Sequence, residues 1–316
     1  MTNKELYRQL SETEGSRIPL FQQYWWMETV CEGKEWDVLL SQKESRIEGA
    51  LPYLIGYRMG LRFIVQPQLT QYCGPWYNPP QGANRPDFEH RVGAELAGQL
   101  LGLKPHIFVQ HFSPKTTDWL PFYWAGFQQT TRYTYRFPSI ADADMLYAQA
   151  SRARRQNMAD VEQCCTLDKS FSPIEFAAMH HDYFVRRKGS NLLQQSFVEQ
   201  VCATALQRGQ ALLWALRNKE GKAVNVSFVV YDDQCAYALM SAITDDAPRN
   251  SQTYLFWQMI RHLSTVTQSF DFEGSMDAGN EYFYRTFGTV QTPFFEVTHF
   301  SSPIARLIFK LKTHRQ

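Results

Sequence analysis

The spacing of hydrophobic residues changes several times along the chain, and these changes predict alternating helices and strands. Phe88, Val92, Leu96 and Leu100 recur every four residues, which predicts a helix over 87–102. Before this helix lie three extended runs rich in β-branched and aromatic residues, WDVLLSQ, RIEGALPYLIGYR and LRFIVQP. Because turn residues separate the runs, they predict an antiparallel meander. The run HIFVQHF and the alternating FQQTTRYTYRFP add two further strands.

The second half of the chain repeats this order more clearly. Residues 139–163 indicate a helical connector, in which Asp142 or Asp144 caps the first piece and Ser151 the second. We then expect two helices, three antiparallel strands, a helix, a strand, a short helix and a final strand. The repetition predicts a duplicated α+β protein, in which each unit is a mixed, mostly antiparallel sheet flanked by helices. The expected boundaries are 1–138 for the first unit, 139–164 for the connector and 165–316 for the second unit.

The charge and cysteine content exclude several classes of function. The formal net charge is +1, so we expect no DNA partner, and any anion site must be local. The six cysteines show no CxxC pair and no metal-type spacing with histidine, which predicts reduced structural thiols and no metal site. The polar amino terminus lacks an apolar signal core, and no apolar run approaches the ~20 residues that span a bilayer. We therefore expect a cytoplasmic protein.

The carboxyl end, PIARLIFKLKTHRQ, predicts a short basic amphipathic helix. Two interpretations of this helix are open. It can pack its Leu/Ile/Phe face on the second unit, which we favour, or it can make peripheral contact with a membrane surface.

The stretch FDFEGSMDAGNEYFYRTFG, over 270–288, places two carboxylates two residues apart. Positions i and i+2 of a strand share a face, so Asp271 and Glu273 are expected to point the same way while the flanking phenylalanines are buried. A strand end beside a loop suits ligand contact, and this pair can orient an amine or take its proton. The alternative is structural, with Asp271 capping a turn and Glu273 paired with an arginine.

Three arginines, Arg152, Arg154 and Arg155, are expected in the first turn of a helix. The helix dipole disfavours exposed cations there by roughly 0.3–1 kcal/mol each, so a partner should offset that cost. A bound phosphate or a tRNA backbone would do so, because arginine offers planar, forked donors. A neighbouring acidic surface would do so equally. The dipole argument lapses if the preceding helix runs through Ser151.

Residues 71–86, QYCGPWYNPPQGANRP, form an aromatic and proline-rich loop. Its Tyr72 and Trp76 could line a groove for an acceptor. Rigid aromatic residues beside proline also keep ordinary surface loops ordered, so a packing role is the alternative.

Three stretches in this order resemble one protein family. SRARRQNMADVEQ (151–163) is similar to the arginine-rich helix before the second domain of Fem-type aminoacyltransferases and their FemAB-like relatives. Residues 50–76 resemble the strand-turn-strand that leads into the family's Tyr-x-Gly-Pro loop, and 270–288 resemble its Asp-Phe-x-Gly segment ending in Phe-Gly. The resemblance implies two tandem GNAT (N-acetyltransferase-like) domains that transfer an acyl or aminoacyl group to an amine.

The same resemblance implies the partners and the roles of residues. The donor would be aminoacyl-tRNA or acyl-CoA, bound as a co-substrate without any permanently bound cofactor, so tRNA is a candidate partner. The acceptor would be a small molecule or a peptidoglycan precursor of the cell wall. Asp271, Glu273 and Arg285 are the catalytic candidates. The candidates for substrate binding are Arg152, Arg154, Arg155, Asn157, Tyr72, Trp76 and Tyr284.

Two departures from the family pattern bear on activity. The glycine-rich phosphate loop of acyl-CoA enzymes is replaced by DDAPRNSQTY, which has no glycine. Arg249, Asn250 and Ser251 at the following helix start still offer N–H donors and positive charge, and they are the donor-binding candidates. Tyr284 stands where many members have lysine, so Arg285 would have to substitute. The alternative function is therefore a non-catalytic ligand-binding protein on a degenerate GNAT fold.

Overall fold

A computed structural model describes residues 1–58, 60–274, 276 and 278–313, without the side chains of residues 310, 312 and 313. The chain divides into two compact units. Unit 1 consists of Met1–Arg132 and Pro293–Gln316, and unit 2 consists of Tyr133–Thr292. Helices combined with mostly antiparallel strand pairing confirm the predicted α+β class.

Helices and strands follow one another largely in the order that the hydrophobic spacing predicts. The first part of the chain contains α1 (Asn3–Glu14), α2 (Tyr24–Val30), β1 (Trp36–Lys43), β2 (Arg46–Arg58), β3 (Leu61–Val65), β4 (Trp76–Tyr77), α3 (Arg85–Gly102), β5 (Ile107–Phe112), α4 (Leu120–Trp124) and β6 (Gln128–Phe137). The second part contains α5 (Ala143–Gln149), α6 (Arg152–Arg155), α7 (Met158–Cys164), β7 (Cys165–Asp168), α8 (Pro173–Lys188), α9 (Gln195–Gln207), β8 (Ala211–Asn218), β9 (Ala223–Tyr231), β10 (Cys235–Ile243), α10 (Ser251–Leu263), β11 (Ser269–Asp271), α11 (Ala278–Arg285), β12 (Val290–Phe300) and α12 (Pro303–Thr313). Short 3₁₀ turns at Gly15–Arg17 and Leu20–Gln22 precede α2.

Unit 1 is built on a sheet in which β1, β2 and β3 form the predicted antiparallel meander. Strand β3 then pairs in parallel with β5, from Phe63 with Ile107 to Val65 with Val109. On its other edge, β5 pairs in antiparallel register with residues 295–300 of β12. The sheet of unit 1 therefore depends on a strand from the far end of the chain.

The core of unit 1 lies between this sheet and α3. The helix buries every fourth position, at Val92, Leu96 and Leu100. These side chains join Leu51 and Phe108 of the strands in one hydrophobic cluster. The structure confirms the helix that the same spacing predicts over 87–102.

Unit 2 contains the strands β7, β8, β9 and β10, which pair with their neighbours in antiparallel register. Strand β10 also pairs in parallel with β11, and β11 pairs in antiparallel register with β6 at Phe270 and Phe137. Helix α10 contributes Trp257 to a core cluster that includes Phe270 and Phe272. From α8 onward this order of helices and strands is the one predicted for the second half, whereas β7 was not predicted.

The division into units differs from the boundaries expected at residues 138 and 164. Helices α5, α6 and α7 lie in unit 2, and residues 293–316 lie in unit 1. The second difference arises because the end of β12 pairs with β5, which is far earlier in the chain. Hydrophobic spacing shows that a strand exists but not which distant strand it pairs with.

The connector consists of three short helices. Asp142 caps α5, as predicted, because its side chain accepts a hydrogen bond from the Met145 amide. The helix expected over 151–163 is interrupted, because Asn157 has a φ of 63° and separates the single turn of α6 from α7. Ser151 makes no side-chain capping bond within the described part of the chain. A single turn carries little macrodipole, so the dipole argument for a ligand at the arginines does not hold.

Helix α12 contacts β5 within unit 1. Ala305 is fully buried, and the Phe309 ring lies 5.6 Å from the Phe300 ring. Ile304 and Leu307 are exposed to solvent. The expectation that this helix packs its Leu/Ile/Phe face on the second unit is therefore wrong. None of the helices in the described ranges has the length and apolar character that crossing a bilayer requires.

Candidate functional site

In unit 2, two parallel strands separate and leave a fork. Residues 235–237 of β10 pair with 269–271 of β11, and β11 then ends. The register of β10 is irregular just before Met240, and the strand continues to Ile243. In the structure as described, this last part of β10 has β9 on one side and no parallel strand on the other. At the end of this edge the Ile243 carbonyl accepts a hydrogen bond from Arg186 at 3.0 Å. The backbone edge before Ile243 is where a ligand could bind.

A cavity of about 560 Å³ opens at this fork. Sites for small molecules commonly enclose about 300–1,000 Å³, so the size suits a substrate. Helix α8, the end of β10, the first turns of α10 and helix α11 form its walls. The lining residues are Tyr183, Arg187, Ser241, Ala242, Ile243, Gln252, Phe256, Gly279, Asn280, Phe283 and Tyr284.

Glu273 adjoins the cavity through Tyr284, a lining residue whose pKa its charge raises, and is not itself among the lining residues. Its backbone takes the left-handed conformation, with a φ of 60°, directly after the buried Phe272. The side-chain oxygen Oε1 is shut off from solvent and has no hydrogen-bond partner among the described residues. Burial first, and the charge of Asp271 second, raise the pKa of Glu273 well above its ordinary value. A carboxyl group with a raised pKa is a candidate for taking up and releasing a proton during a reaction.

Asp271 is a fully buried support for Glu273. It accepts hydrogen bonds from the Thr134 hydroxyl and from the Glu273 amide, 2.8 Å away, and Arg136 Nε lies 3.4 Å from its Oδ2. The expectation that Asp271 and Glu273 share a strand face is wrong, because β11 ends at Asp271 and the chain turns. Asp271 fits the turn-capping alternative, whereas Glu273 Oε1 has no partner among the described residues.

Tyr284 brings a second titratable group to the cavity wall. Its ring packs on Phe272 at 5.6 Å and on Tyr135 at 6.0 Å. Burial raises the pKa of Tyr284, and the charges of Glu273 and Asp271 raise it further. The phenol is therefore a neutral hydroxyl that can donate a proton or a hydrogen bond.

Arg285 is placed differently from the expected catalytic position. The side chain is exposed and pairs with Glu281 at 2.7 Å, one turn earlier in α11. Its guanidinium also lies 5.7 Å from the Tyr282 ring. Arg285 is not among the residues that line the cavity. The structure thus places it in an ordinary surface ion pair.

One predicted arginine and the predicted donor-binding segment come together at the cavity edge. The Arg154 guanidinium lies 4.6 Å from the ring of Phe283, which lines the cavity. Asn250 donates hydrogen bonds to the carbonyls of Ala153 and Gln156, at 2.9 and 3.0 Å, and so ties α6 to the start of α10. Arg154 and Asn250 are far apart in the sequence, but these bonds hold them in one corner of unit 2.

Positive charge collects at this corner. Burial lowers the pKa of Arg154, and the nearby charge of Arg249 lowers it further. Arg187 lines the cavity from α8. We call Arg154, Arg187 and Arg249 the cationic rim. Arg154 and Arg249 are close enough to interact electrostatically. Neighbouring guanidinium groups favour an anion, and arginine forks bind phosphate well.

The other predicted binding residues of unit 2 lie outside the cavity. Arg152, Arg155 and Asn157 are exposed. Arg155 donates to the Ala150 carbonyl at 3.0 Å. Ser251 is fully buried and accepts a hydrogen bond from the Asn225 amide at 3.0 Å, so it serves packing at the start of α10.

Sequence reasoning missed Tyr183 and Arg187. They are four residues apart on α8 and therefore on one helix face, and the Arg187 guanidinium lies 5.1 Å from the Tyr183 ring. An aromatic–arginine pair at this spacing is a signal that the sequence contains. Gln252 and Asn280 gave no such signal, because only the fold brings them to the cavity.

Unit 1 has a comparable fork, but its own loop fills it. Strands β3 and β5 pair as far as Val65 and Val109. Beyond this point, Cys73 donates its amide proton to the His111 carbonyl at 2.8 Å. The Gly74 amide likewise donates to Gln110 Oε1 at 3.1 Å. The loop therefore completes the β5 edge that a ligand would need.

Tyr72 and Trp76 are buried by this arrangement of the loop. Trp76 donates its indole N–H to the Arg17 carbonyl at 3.0 Å, and Tyr72 packs edge-on against Phe294 at 5.3 Å. Both side chains thus have the contacts expected of packing residues. The aromatic and proline-rich composition of the loop is accounted for by its place in the unit 1 fork.

A larger and more open groove of about 910 Å³ lies beside α8, where Phe171 and Met179 contribute apolar surface. Its charged side chains are largely paired with one another, for example Lys222 with Asp246 at 3.3 Å. Across the described residues, no cluster of histidine, cysteine and carboxylate side chains could hold a metal ion. The cavity at the fork therefore remains the candidate site.

The sequence pattern of one domain family coincides with the part of the chain that carries this fork. The profile of the acetyltransferase (GNAT) domain matches residues 127–284, which is half of the chain. The chain belongs to this GNAT acetyltransferase domain family. The GNAT segment contains β10, α10, Glu273 and Tyr284, and the unit 1 loop lies outside it. Acyl transfer is the class of reaction that membership supports.

Solved structures show the same GNAT fold over almost the whole chain. FemX is similar with a TM-score of 0.66 and 14% identity, covering 93% of this chain and 96% of its own. The C-terminal domain of a protein described as a lysylphosphatidylglycerol synthetase, from Agrobacterium fabrum, has a TM-score of 0.62 and 12% identity, covering 98% and 96%. A tandem GNAT protein of the clavulanic acid pathway has a TM-score of 0.57 and 11% identity, covering 95% of both chains. Together with the family match, they confirm the predicted resemblance to Fem-type tandem GNAT proteins. No curated protein matches significantly.

Proposed function

We propose that this protein transfers an acyl or aminoacyl group from an activated ester or thioester to an amine, in the cavity of unit 2. The observation that carries the proposal is Glu273. Its carboxyl group has a raised pKa and a buried oxygen without a partner among the described residues, and it acts on Tyr284 in the wall of a substrate-sized cavity. Burial of this kind destabilises the protein, so a function is the simplest reason for it.

The chemistry assigns one step to each of two residues. Ionised Glu273 takes a proton from the attacking amine as the nitrogen forms a bond to the carbonyl carbon. The carbon–oxygen or carbon–sulfur bond of the donor breaks, and the Tyr284 hydroxyl gives a proton to the departing oxygen or sulfur. Glu273 then passes the proton from the amine to Tyr284, so both side chains regain their starting protonation. The net change moves one proton from the amine to the leaving group.

The donor that fits best carries phosphate as well as an activated carbonyl. The cationic rim supplies the charge for this group, and the edge of β10 before Ile243 supplies backbone partners. Aminoacyl-tRNA and acyl-CoA both have this chemistry. The turn after β10 disfavours phosphate, because it carries the exposed Asp245 and Asp246 and lacks glycine. We therefore assign phosphate contact to the guanidinium groups of the rim, Arg249 included, and not to the backbone of that turn.

For the acceptor, the proposal requires only an amine that is uncharged when it attacks. The resemblance to Fem-type proteins supports an amine on a cell-wall peptidoglycan precursor, and a free small-molecule amine is the other candidate class. Tyr72 and Trp76 have no part in the proposed site, since their side chains are buried within unit 1.

The test is product formation by the full-length protein. Wild type is incubated with charged tRNA or with a panel of acyl-CoA donors, together with amine acceptors, and products are identified by mass spectrometry. We expect Glu273→Gln to lower kcat by about 10²–10⁴-fold, the usual contribution of a general base. Glu220→Gln, in the exposed turn between β8 and β9, is the matched control and should match wild type.

The second candidate function is ligand binding without catalysis, and the glycine-free turn after β10 favours it. In that case wild type forms no product with any donor, while donor binding persists equally in Glu273→Gln. A wild type that neither turns over nor binds any phosphate-bearing donor would refute both functions.

A further inference from the structure

We infer that helix α12 docks the protein on the surface of a bilayer that contains anionic lipids. The inference is independent of the proposed acyl transfer, because α12 lies in unit 1 and contributes nothing to the cavity of unit 2. It rests on the exposure of the helix and on the charge of the segment that forms it.

The helix is held to unit 1 by one side only. Ala305 is fully buried, and Phe309 packs on Phe300 with ring centroids 5.6 Å apart. These two contacts are four residues apart, so they define one face of the helix. The fold therefore fixes which side of α12 faces solvent.

A stripe of large apolar side chains occupies the solvent side. Ile304, Leu307 and Leu311 are exposed by 70%, 57% and 60%. At about 100° per residue, these positions fall within an arc of roughly 60°. Single exposed hydrophobic residues are normal on a protein surface, but an aligned stripe on one helix marks a contact surface.

The charge of residues 303–316 indicates that the binding partner of α12 is an anionic bilayer. Residues 303–316 contain four lysines and arginines and no acidic residue, whereas the whole chain has a formal net charge of only +1. Arg306 is exposed one position before Leu307. An apolar stripe within a basic helix is complementary to an anionic bilayer, where the apolar side chains enter the acyl boundary and the cations meet headgroups. A purely apolar partner groove would gain nothing from this charge.

The experiment uses full-length protein and sedimentation with vesicles. One set of vesicles is phosphatidylcholine alone, and the other includes phosphatidylglycerol. Wild type is expected to sediment with the anionic vesicles and to be released by salt. Leu307→Glu should weaken binding by about tenfold or more, because it places a carboxylate where the apolar stripe enters the bilayer. Arg306→Glu should weaken binding mainly at low salt.

The control is Leu192→Glu, which changes a leucine of similar exposure, 67%, in the segment between α8 and α9. It should bind vesicles like wild type. Since all three side chains are exposed, circular dichroism and thermal melting should show each variant folded. Failure of wild type to bind anionic vesicles, or equal binding by Leu307→Glu, would overturn the inference. So would a wild-type dimer in light scattering that Leu307→Glu converts to monomer, because the stripe would then serve a second copy.

Discussion

At the residue scale, Asp271 and Glu273 lie two positions apart in the sequence but in different environments. Sequence spacing finds Asp271 and Glu273 together but cannot tell which is functional, because the end of β11 and the left-handed backbone at Glu273 depend on burial of the neighbouring phenylalanines. In the structure, Asp271 has its hydrogen bonds and Glu273 Oε1 has none among the described residues. The pair therefore divides into a hydrogen-bonded carboxylate and the carboxyl group that we propose as the general base.

This division predicts a pH dependence. As general base, Glu273 must be ionised, so kcat/KM should rise with pH through an apparent pKa well above about 4.3, the ordinary value for glutamate. Asp271→Asn removes a negative charge that raises the pKa of Glu273, so the acid limb should move to lower pH. The measurement is the pH–rate profile of both proteins. An unmoved acid limb in Asp271→Asn would show that another group sets it.

Ionised Glu273 should also lower the stability of the folded protein at high pH. Its folded pKa is raised, so the stabilisation linked to its protonated form is complete below the unfolded pKa of about 4.3 and is lost as pH rises through the folded pKa. Glutamine resembles the protonated form. Relief of a buried, unsatisfied group is worth on the order of 1–3 kcal/mol, so Glu273→Gln should raise Tm by at least about 2 °C near pH 9. Little gain is expected near pH 4. A lower Tm at high pH would contradict this account.

At the element scale, the strand forks of the two units differ in whether a loop fills them. In unit 1, the Cys73 amide bonds the His111 carbonyl of β5 and the Gly74 amide bonds the Gln110 side chain, whereas in the described part of unit 2 no parallel strand accompanies the end of β10. The alternation of hydrophobic residues predicts the strands of both forks. It cannot show which fork is filled, because the filling depends on a loop that returns to a strand much later in the chain. The break of the connector at Asn157 was not predicted for a similar reason: Asn250, much later in the chain, bonds the carbonyls of Ala153 and Gln156 just before it.

The filled fork makes Gly74 hard to replace. Its φ is 79°, and a Cβ there would lie 2.4 Å from the ring of Phe112. Gly74→Ala should destabilise unit 1 by about 2 kcal/mol or more, from backbone strain and overpacking together. Gly82→Ala is the matched control, because φ is 78° and no atom lies within 4 Å of the added Cβ. It should lose only about 1 kcal/mol. Equal losses in urea unfolding would mean that the loop is not packed in the fork.

At the scale of the whole molecule, the chain order of elements was predictable and the membership of units was not. The meander of β1 to β3 and the elements from α8 to α11 follow from local spacing. Residues 293–316 belong to unit 1 because β12 pairs with β5, and helix α12 directly follows β12 in the chain. Local patterns carry no information on such a pairing.

A donor should stabilise the whole protein through the cationic rim. Ligand that binds only the native state adds about 2.7 kcal/mol at one hundred times its Kd, so thermal melting with acyl-CoA or charged tRNA should show a rising Tm. Arg154→Ala should reduce this shift, because it removes the guanidinium beside Phe283. Arg8→Ala, an exposed arginine of α1, should leave it unchanged. Equal shifts in both variants would remove Arg154 from the donor site.

The most direct test of the central claim is a crystal structure with a non-reactive donor analogue, such as a thioether of coenzyme A or an amide-linked aminoacyl adenosine. We predict density along Ser241, Ala242 and Ile243 of β10, with the phosphate or ribose side at the cationic rim and the acyl carbon beside Glu273 and Tyr284. An analogue bound in the groove beside Phe171, or against unit 1 alone, with the fork of unit 2 empty, would contradict the claim.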